Sequence, residues 1–161
     1  MNRKFPSTRL RRLRLNQNIL SLVEGTNLTK SDLIQPLFVQ NSSTPKEEIK
    51  KLPGQYRHNI DSLLSEVESL LERGINTIAV FPIVEQSKKN NEATEALNKD
   101  NLISKAIKRI KSSYPEMILI SDIALDPYTS HGHDGILKEN YVDNDLTLQK
   151  LEEQSLLMAD S

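Results

Sequence analysis

A parallel α/β sheet, part of a (β/α)8 TIM barrel of about three βα units behind an extended N-terminal arm, is the fold class this sequence predicts. Three observations carry that expectation. Apolar, strand-like runs recur roughly every forty residues, with amphipathic helical patterns between them. The middle run, Thr77–Ile83, is apolar almost throughout, as a strand covered on both faces must be. The third run ends abruptly in a polar stretch, Ser121-Asp-Ile-Ala-Leu-Asp-Pro-Tyr-Thr-Ser-His-Gly-His-Asp-Gly135, at the strand end where α/β proteins place their chemistry.

The elements follow in order. Residues 1–30 are basic at the front (Arg9, Arg11, Arg12, Arg14) and lack strong periodicity, which predicts an arm with a short helix around Asn18–Glu24. Leu33–Val39 reads as the first strand, although Pro36 lies inside it. A loop through Pro45 and the Pro53-Gly54 turn leads to a helix marked by Leu63, Leu64, Val67, Leu70 and Leu71, with Asp61 as its cap and Gly74 as its end. Thr77–Ile83 is the second strand, followed by a polar loop over 85–100. Ile103, Ala106, Ile107 and Ile110 mark the next helix, which Pro115 stops. Glu116–Leu125 is the third strand. Ile136–Asp145 reads as a short hairpin, and Asn144 or Asp145 as the cap of a last helix, Thr147–Ala159. Residues 31–161 thus form the N-terminal part of a barrel domain. A complete barrel takes about 250 residues, and the stop at Ala159-Asp160-Ser161 reads as that of a fragment.

Composition narrows the function classes. A net charge of -1 offers no footprint for nucleic acid or an anionic membrane. The chain has no cysteine, hence neither a disulfide framework nor a thiolate metal site. The apolar runs are too short to span a bilayer and the N-terminus lacks a signal-peptide core, so the cytoplasm is the default compartment. No Gly-rich loop follows the first strand, which argues against a nucleotide site.

The chemistry concentrates between Ser121 and Gly135, which holds Asp122, Asp126, Asp134, His131 and His133. The plainer reading of His131-Gly-His133-Asp134 is a solvated turn whose side chains cap nearby backbone groups. A zinc hydrolase of H-x-H-x-D-H type fails, because Gly135 and Ile136 stand where Asp and His are needed. Only His58 remains elsewhere to complete a zinc site. A hard, oxygen-preferring cation such as Mg²⁺ suits Asp126 and Asp134 better. Asp122 ends the strand, where it can orient a substrate or exchange a proton, or serve as a strand-end cap. Phe81, at the matching end of the second strand, is either core or the wall of a pocket. The Arg9–Arg14 cluster is a solvated arm or a docking element for a neighbouring subunit.

These residues resemble the porphobilinogen synthase (δ-aminolevulinic acid dehydratase) family over nearly the whole chain. The matching motifs are Arg9-Leu-Arg-Arg-Leu-Arg14, Asp32-Leu-Ile-Gln-Pro-Leu-Phe-Val39, Leu52-Pro-Gly54, Ala79-Val-Phe-Pro82, Tyr114-Pro-Glu116 and, most specific, Ser121–Gly135. The resemblance implies a (β/α)8 barrel whose arm embraces a neighbouring subunit, commonly in a homo-octamer. It implies condensation of two 5-aminolevulinate molecules to porphobilinogen in tetrapyrrole and heme biosynthesis. Zinc-dependent members carry three cysteines where this chain has Ala124, Asp126 and Asp134, so the resemblance is to the magnesium-responsive class, with Asp126 and Asp134 as metal residues. It makes Asp122 the catalytic aspartate and Phe81 a substrate-binding phenylalanine. The family's two imine-forming lysines lie on later strands that this sequence does not include. A non-catalytic truncated paralogue, binding metal or a partner subunit, is the alternative expectation.

Overall fold

A computed structural model describes residues 3–8 and 11–161. Arg9, part of the basic cluster read in the arm, lies outside the described residues. Contacts divide the chain into two units, Met1–Asp32 and Leu33–Ser161. In the first, a 3₁₀ turn at Arg12–Arg14 precedes helix α1, Gln17–Val23, whose Asn16 cap accepts a hydrogen bond from the Ile19 amide at 3.0 Å. Its helical segments bury no residue, and Leu13, Leu15, Leu22 and Leu28 are exposed.

The second unit is built on a five-stranded sheet. Its strands are β1 (Gln35–Gln40), β2 (Lys46–Glu48), β3 (Tyr56–His58), β4 (Thr77–Ile83) and β5 (Ile118–Ser121). Their order across the sheet is β2-β3-β1-β4-β5. All neighbouring pairs are parallel except β2 with β3, which form an antiparallel hairpin. That hairpin was not expected from the sequence, because Lys46-Glu-Glu48 and Tyr56-Arg-His58 lack apolar alternation. Helices α2 (Ile60–Glu72) and α3 (Leu102–Ser113) are the crossovers. Hairpin β6 (Leu137–Lys138) and β7 (Tyr141–Val142) then leads into α4, Asn144–Ala159.

Period-two alternation sorts the sheet into two faces. Leu37, Val39, Ile78 and Val80 are buried and pack in one cluster with Leu63, Val67 and Leu70 of α2. Ile103, Ala106, Ile107 and Ile110 of α3, together with Met117 and Met158, complete it. The other face carries Phe38, Ala79, Phe81, Ile118 and Ile120, and no helix of the unit covers it. Ile118 and Ile120 remain 58% and 43% exposed.

Helices α2 and α4 start slightly before their sequence expectations, and for the same reason. Asn59, not Asp61, caps α2 by accepting from the Ser62 amide at 2.9 Å, while Asp61 is left in the first turn. Asp143, rather than Asn144 or Asp145, caps α4 through the Leu146 amide at 3.1 Å. Gly74 ends α2 at φ +79°, where a side chain would be strained. The third strand is shorter than Glu116–Leu125, because after Ser121 the backbone leaves the sheet and finds side-chain partners instead. Among the described residues no helix is long and apolar enough to cross a membrane.

Candidate functional site

The site grows from strand register. Phe38 is paired with Phe81 across β1 and β4, and Val80 with Ser121 across β4 and β5. Registered residues of parallel strands point to the same face, so Phe81 and Asp122, one step past the last pair, share the open face and one level. The Phe38 and Phe81 rings lie 5.7 Å apart, tilted by 31°. The register thus puts Phe81 and Asp122 at the same end of the sheet, with Asp122 directly following the last paired residue.

Beyond Ser121 the loop is held by specific bonds. Asp134 Oδ1 accepts from the Leu125 amide at 2.7 Å, and the Gln154 side chain on α4 donates through Nε2 to the Ala124 carbonyl at 3.1 Å. These two acceptor and donor groups belong to one peptide unit. Leu125, Tyr128 and Thr129 are buried. Thr129 Oγ1 donates to the His133 carbonyl at 2.9 Å, closing the turn that carries Gly132 at φ +74°. The 85–100 loop is laced on as well: the Asn90 amide donates to the Tyr128 carbonyl, and the Ser130 amide to the Asn90 carbonyl. Gly135 passes so close to Val142 that an added methyl would collide with its side chain, and would press on Thr147.

Three carboxylates share this small region, and the electrostatics show it. Burial raises the Asp122 pKa above the ordinary aspartate value, and the Asp126 and Asp134 charges push it further up. Tyr128 is also raised, first by burial and then by the charges of Asp122 and Glu95, against an opposing contact with Gln154. An acid with a raised pKa at a strand end is suited to exchanging a proton.

Asp126 is exposed and Asp134 is committed to Leu125 through one oxygen. Among the described residues no group of three His, Asp or Glu side chains is gathered to hold an ion. A magnesium ion that keeps several waters and takes one or two carboxylates fits such donors. The two histidines lie in one turn, where the His133 amide donates to His131 Nδ1 at 3.1 Å.

Comparison with known proteins decides the family. The model of the family described as delta-aminolevulinic acid dehydratase matches residues 7–161. The chain belongs to the delta-aminolevulinic acid dehydratase family. A family member from Methanothermus sociabilis is 42% identical over 98% of this chain and 48% of its own length. Another, from Ruminiclostridium josui, is 38% identical over 92% of this chain and 71% of its own. The crystal structure of a delta-aminolevulinic acid dehydratase from Toxoplasma gondii, in complex with the reaction product porphobilinogen, superimposes with a TM-score of 0.92 at 37% identity. It covers 95% of this chain and 44% of that one. The fold is therefore α/β, a partial barrel of this family. The chain spans about half the length of the first curated relatives it matches.

Two residues of the site were missed in the sequence reading. Tyr128 lies inside the polar run but is buried. Gln154 occupies a position on the inward stripe of α4, between Leu151 and Met158, where an apolar residue is expected. A polar residue on an apolar stripe is the signal that could have found it.

Proposed function

We propose that this chain supplies the N-terminal part of the catalytic barrel of a porphobilinogen synthase, which condenses two 5-aminolevulinate molecules to porphobilinogen with loss of water. The observation that carries this reading is the row of Phe81 and Asp122 at the C-terminal ends of parallel strands, in a family whose Toxoplasma gondii member has been solved with porphobilinogen bound. Asp122, its pKa raised by burial and by its carboxylate neighbours, gives or takes a proton at the substrate. Phe81 and Phe38 form the apolar wall that excludes water. Asp126 and Asp134 are the residues that would hold Mg²⁺ through its shell of water. Such an ion supplies positive charge that steadies carboxylates and developing negative charge nearby.

Imine formation needs a lysine with a lowered pKa beside the substrate ketone. No parallel strand here runs directly into a lysine. Asn41, Asn59, Val84 and Asp122 follow them. Lys88 pairs with Glu95 at 3.3 Å, and Lys111 donates to the Pro115 and Met117 carbonyls. The imine-forming lysines are therefore assigned to sequence outside these 161 residues, as the family resemblance implies. The exposed leucines of the first unit suit an arm that docks on another copy; assembly into an octamer, and a place in the cytoplasm, are what the family resemblance implies.

The test compares the 161 residues with the full-length protein, each incubated with 5-aminolevulinate and Mg²⁺ and then reduced with borohydride. The full-length protein should release porphobilinogen and retain a reduced adduct, and the 161 residues should do neither. Product, or a stoichiometric adduct on any lysine of the shorter chain, would contradict the assignment. A full-length protein that makes no porphobilinogen would favour the non-catalytic alternative.

A further inference from the structure

Gln154 is 1% exposed and sits on the face of α4 that otherwise buries Thr147 and Met158. An amide in such a place is unfavourable unless its hydrogen bonds are made. Only one is made. Nε2 donates to the Ala124 carbonyl, thirty residues away in sequence, while Oε1 is buried with no partner. The amide orientation is fixed, since a carbonyl can only face the NH₂ end. Tyr128 lies beside the same side chain, although no hydrogen bond of proper geometry joins its phenol to Oε1. A methionine would fill this space without an unpaired acceptor. A position that breaks the local rule is explained by what its one bond holds.

What it holds is half of a clamp. The Ala124 carbonyl and the Leu125 amide are the two ends of one planar peptide unit, and they are gripped from opposite partners by Gln154 and Asp134. With both ends tied, that plane cannot rotate without breaking one bond. Ile123 packs against the main core and Leu125 is fully buried, so the chain is also pinned on either side of the plane.

We propose that Gln154 is a positioning residue for Asp122: from α4 it locks the Ala124–Leu125 peptide plane and so fixes the direction in which the strand-end carboxylate faces the open side of the sheet. It touches no reacting group itself. The proposal rests on the catalytic reading above.

The test is made in the full-length protein. Gln154→Met keeps the side-chain length and removes the donor. It should lower kcat by about tenfold or more with KM within about twofold, since a small misplacement of a catalytic group is costly. Met158→Ala, one turn along the same stripe, should lower Tm by at least as much yet leave kcat within about twofold. An unchanged kcat in Gln154→Met, or equal kcat losses in the two variants, would overturn the proposal. Should Gln154→Met fail to fold, wild-type NMR decides: the Gln154 side-chain amide protons should exchange with water at least about tenfold more slowly than those of exposed Gln149. Equal rates would overturn the clamp. Absence of porphobilinogen formation by wild type would instead sink the catalytic reading, with the exchange measurement still judging the clamp.

Discussion

Asp122 combines a place on the open sheet face with a carboxyl held above its ordinary pKa by burial and by Asp126 and Asp134. Asp122→Asn in the full-length protein should keep shape and volume yet depress kcat by roughly 10²-fold or more, the scale of losing a placed proton-transfer group. An unchanged kcat with a lowered Tm would make it a structural residue. His58 offers a second residue-level test. It is buried with Nδ1 3.0 Å from Ser62 Oγ, and burial lowers its pKa, with Glu66 opposing the shift and Lys46 adding to it. The fold therefore favours neutral His58. That contribution is complete above the ordinary value of 6.5 and is lost as pH falls through the lowered one. Wild-type Tm should fall more steeply than that of His58→Gln between about pH 7 and pH 5, and parallel slopes would clear His58 of this role. The strand-end places of Asp122 and Phe81 were legible in the sequence, because each lies at or near the end of an apolar run. Gln154 was not, since a lone glutamine in a helix reads as solvent-facing until the buried stripe is known.

At the scale of elements, side-chain caps determine where the crossovers begin. Asn101 is 1% exposed; its Oδ1 accepts from the Ser104 amide at 2.8 Å, and its Nδ2 donates to the Glu95 and Ala96 carbonyls. It therefore ties α3 to the 3₁₀ turn Thr94–Leu97 before it. Asn101→Ala should cost about 2 kcal/mol in denaturant unfolding, the upper end for caps, because two further carbonyls lose their donor. Asn16→Ala, at the exposed cap of α1, should cost less than half as much. Equal costs would show that the buried bonds add nothing. The same caps explain what sequence could locate. Thr77–Ile83 was read at its observed bounds, since its apolar run starts just after the Gly74 turn. Helix starts were misjudged by one to three residues because Asn59 and Asp143 precede the first apolar residue of the stripe. Strand β3 was invisible because its role lies in main-chain pairing with β1, which Tyr56-Arg-His58 does not advertise.

At the scale of the molecule, the sheet has one covered face and one bare one. Ile118, Ile120 and Ile83 on the bare face are all at least 36% exposed, beside the Phe38–Phe81 pair. The 161 residues alone should therefore self-associate and bind an apolar dye such as ANS, as contiguous exposed apolar surface does. Sedimentation of a clean monomer without dye binding would show that the face is masked. The two edges of the sheet differ just as sharply. On one side the last strand is β2, three residues long, antiparallel and made of Lys46, Glu47 and Glu48, all exposed. Short charged strands repel further pairing. On the other side β5 ends the sheet with isoleucines and no charged residue in its span. Growth of this sheet is thus biased to one edge: a stray strand meets charged side chains beyond β2 and none beyond β5, so one strand of three charged residues gives uncontrolled association its direction.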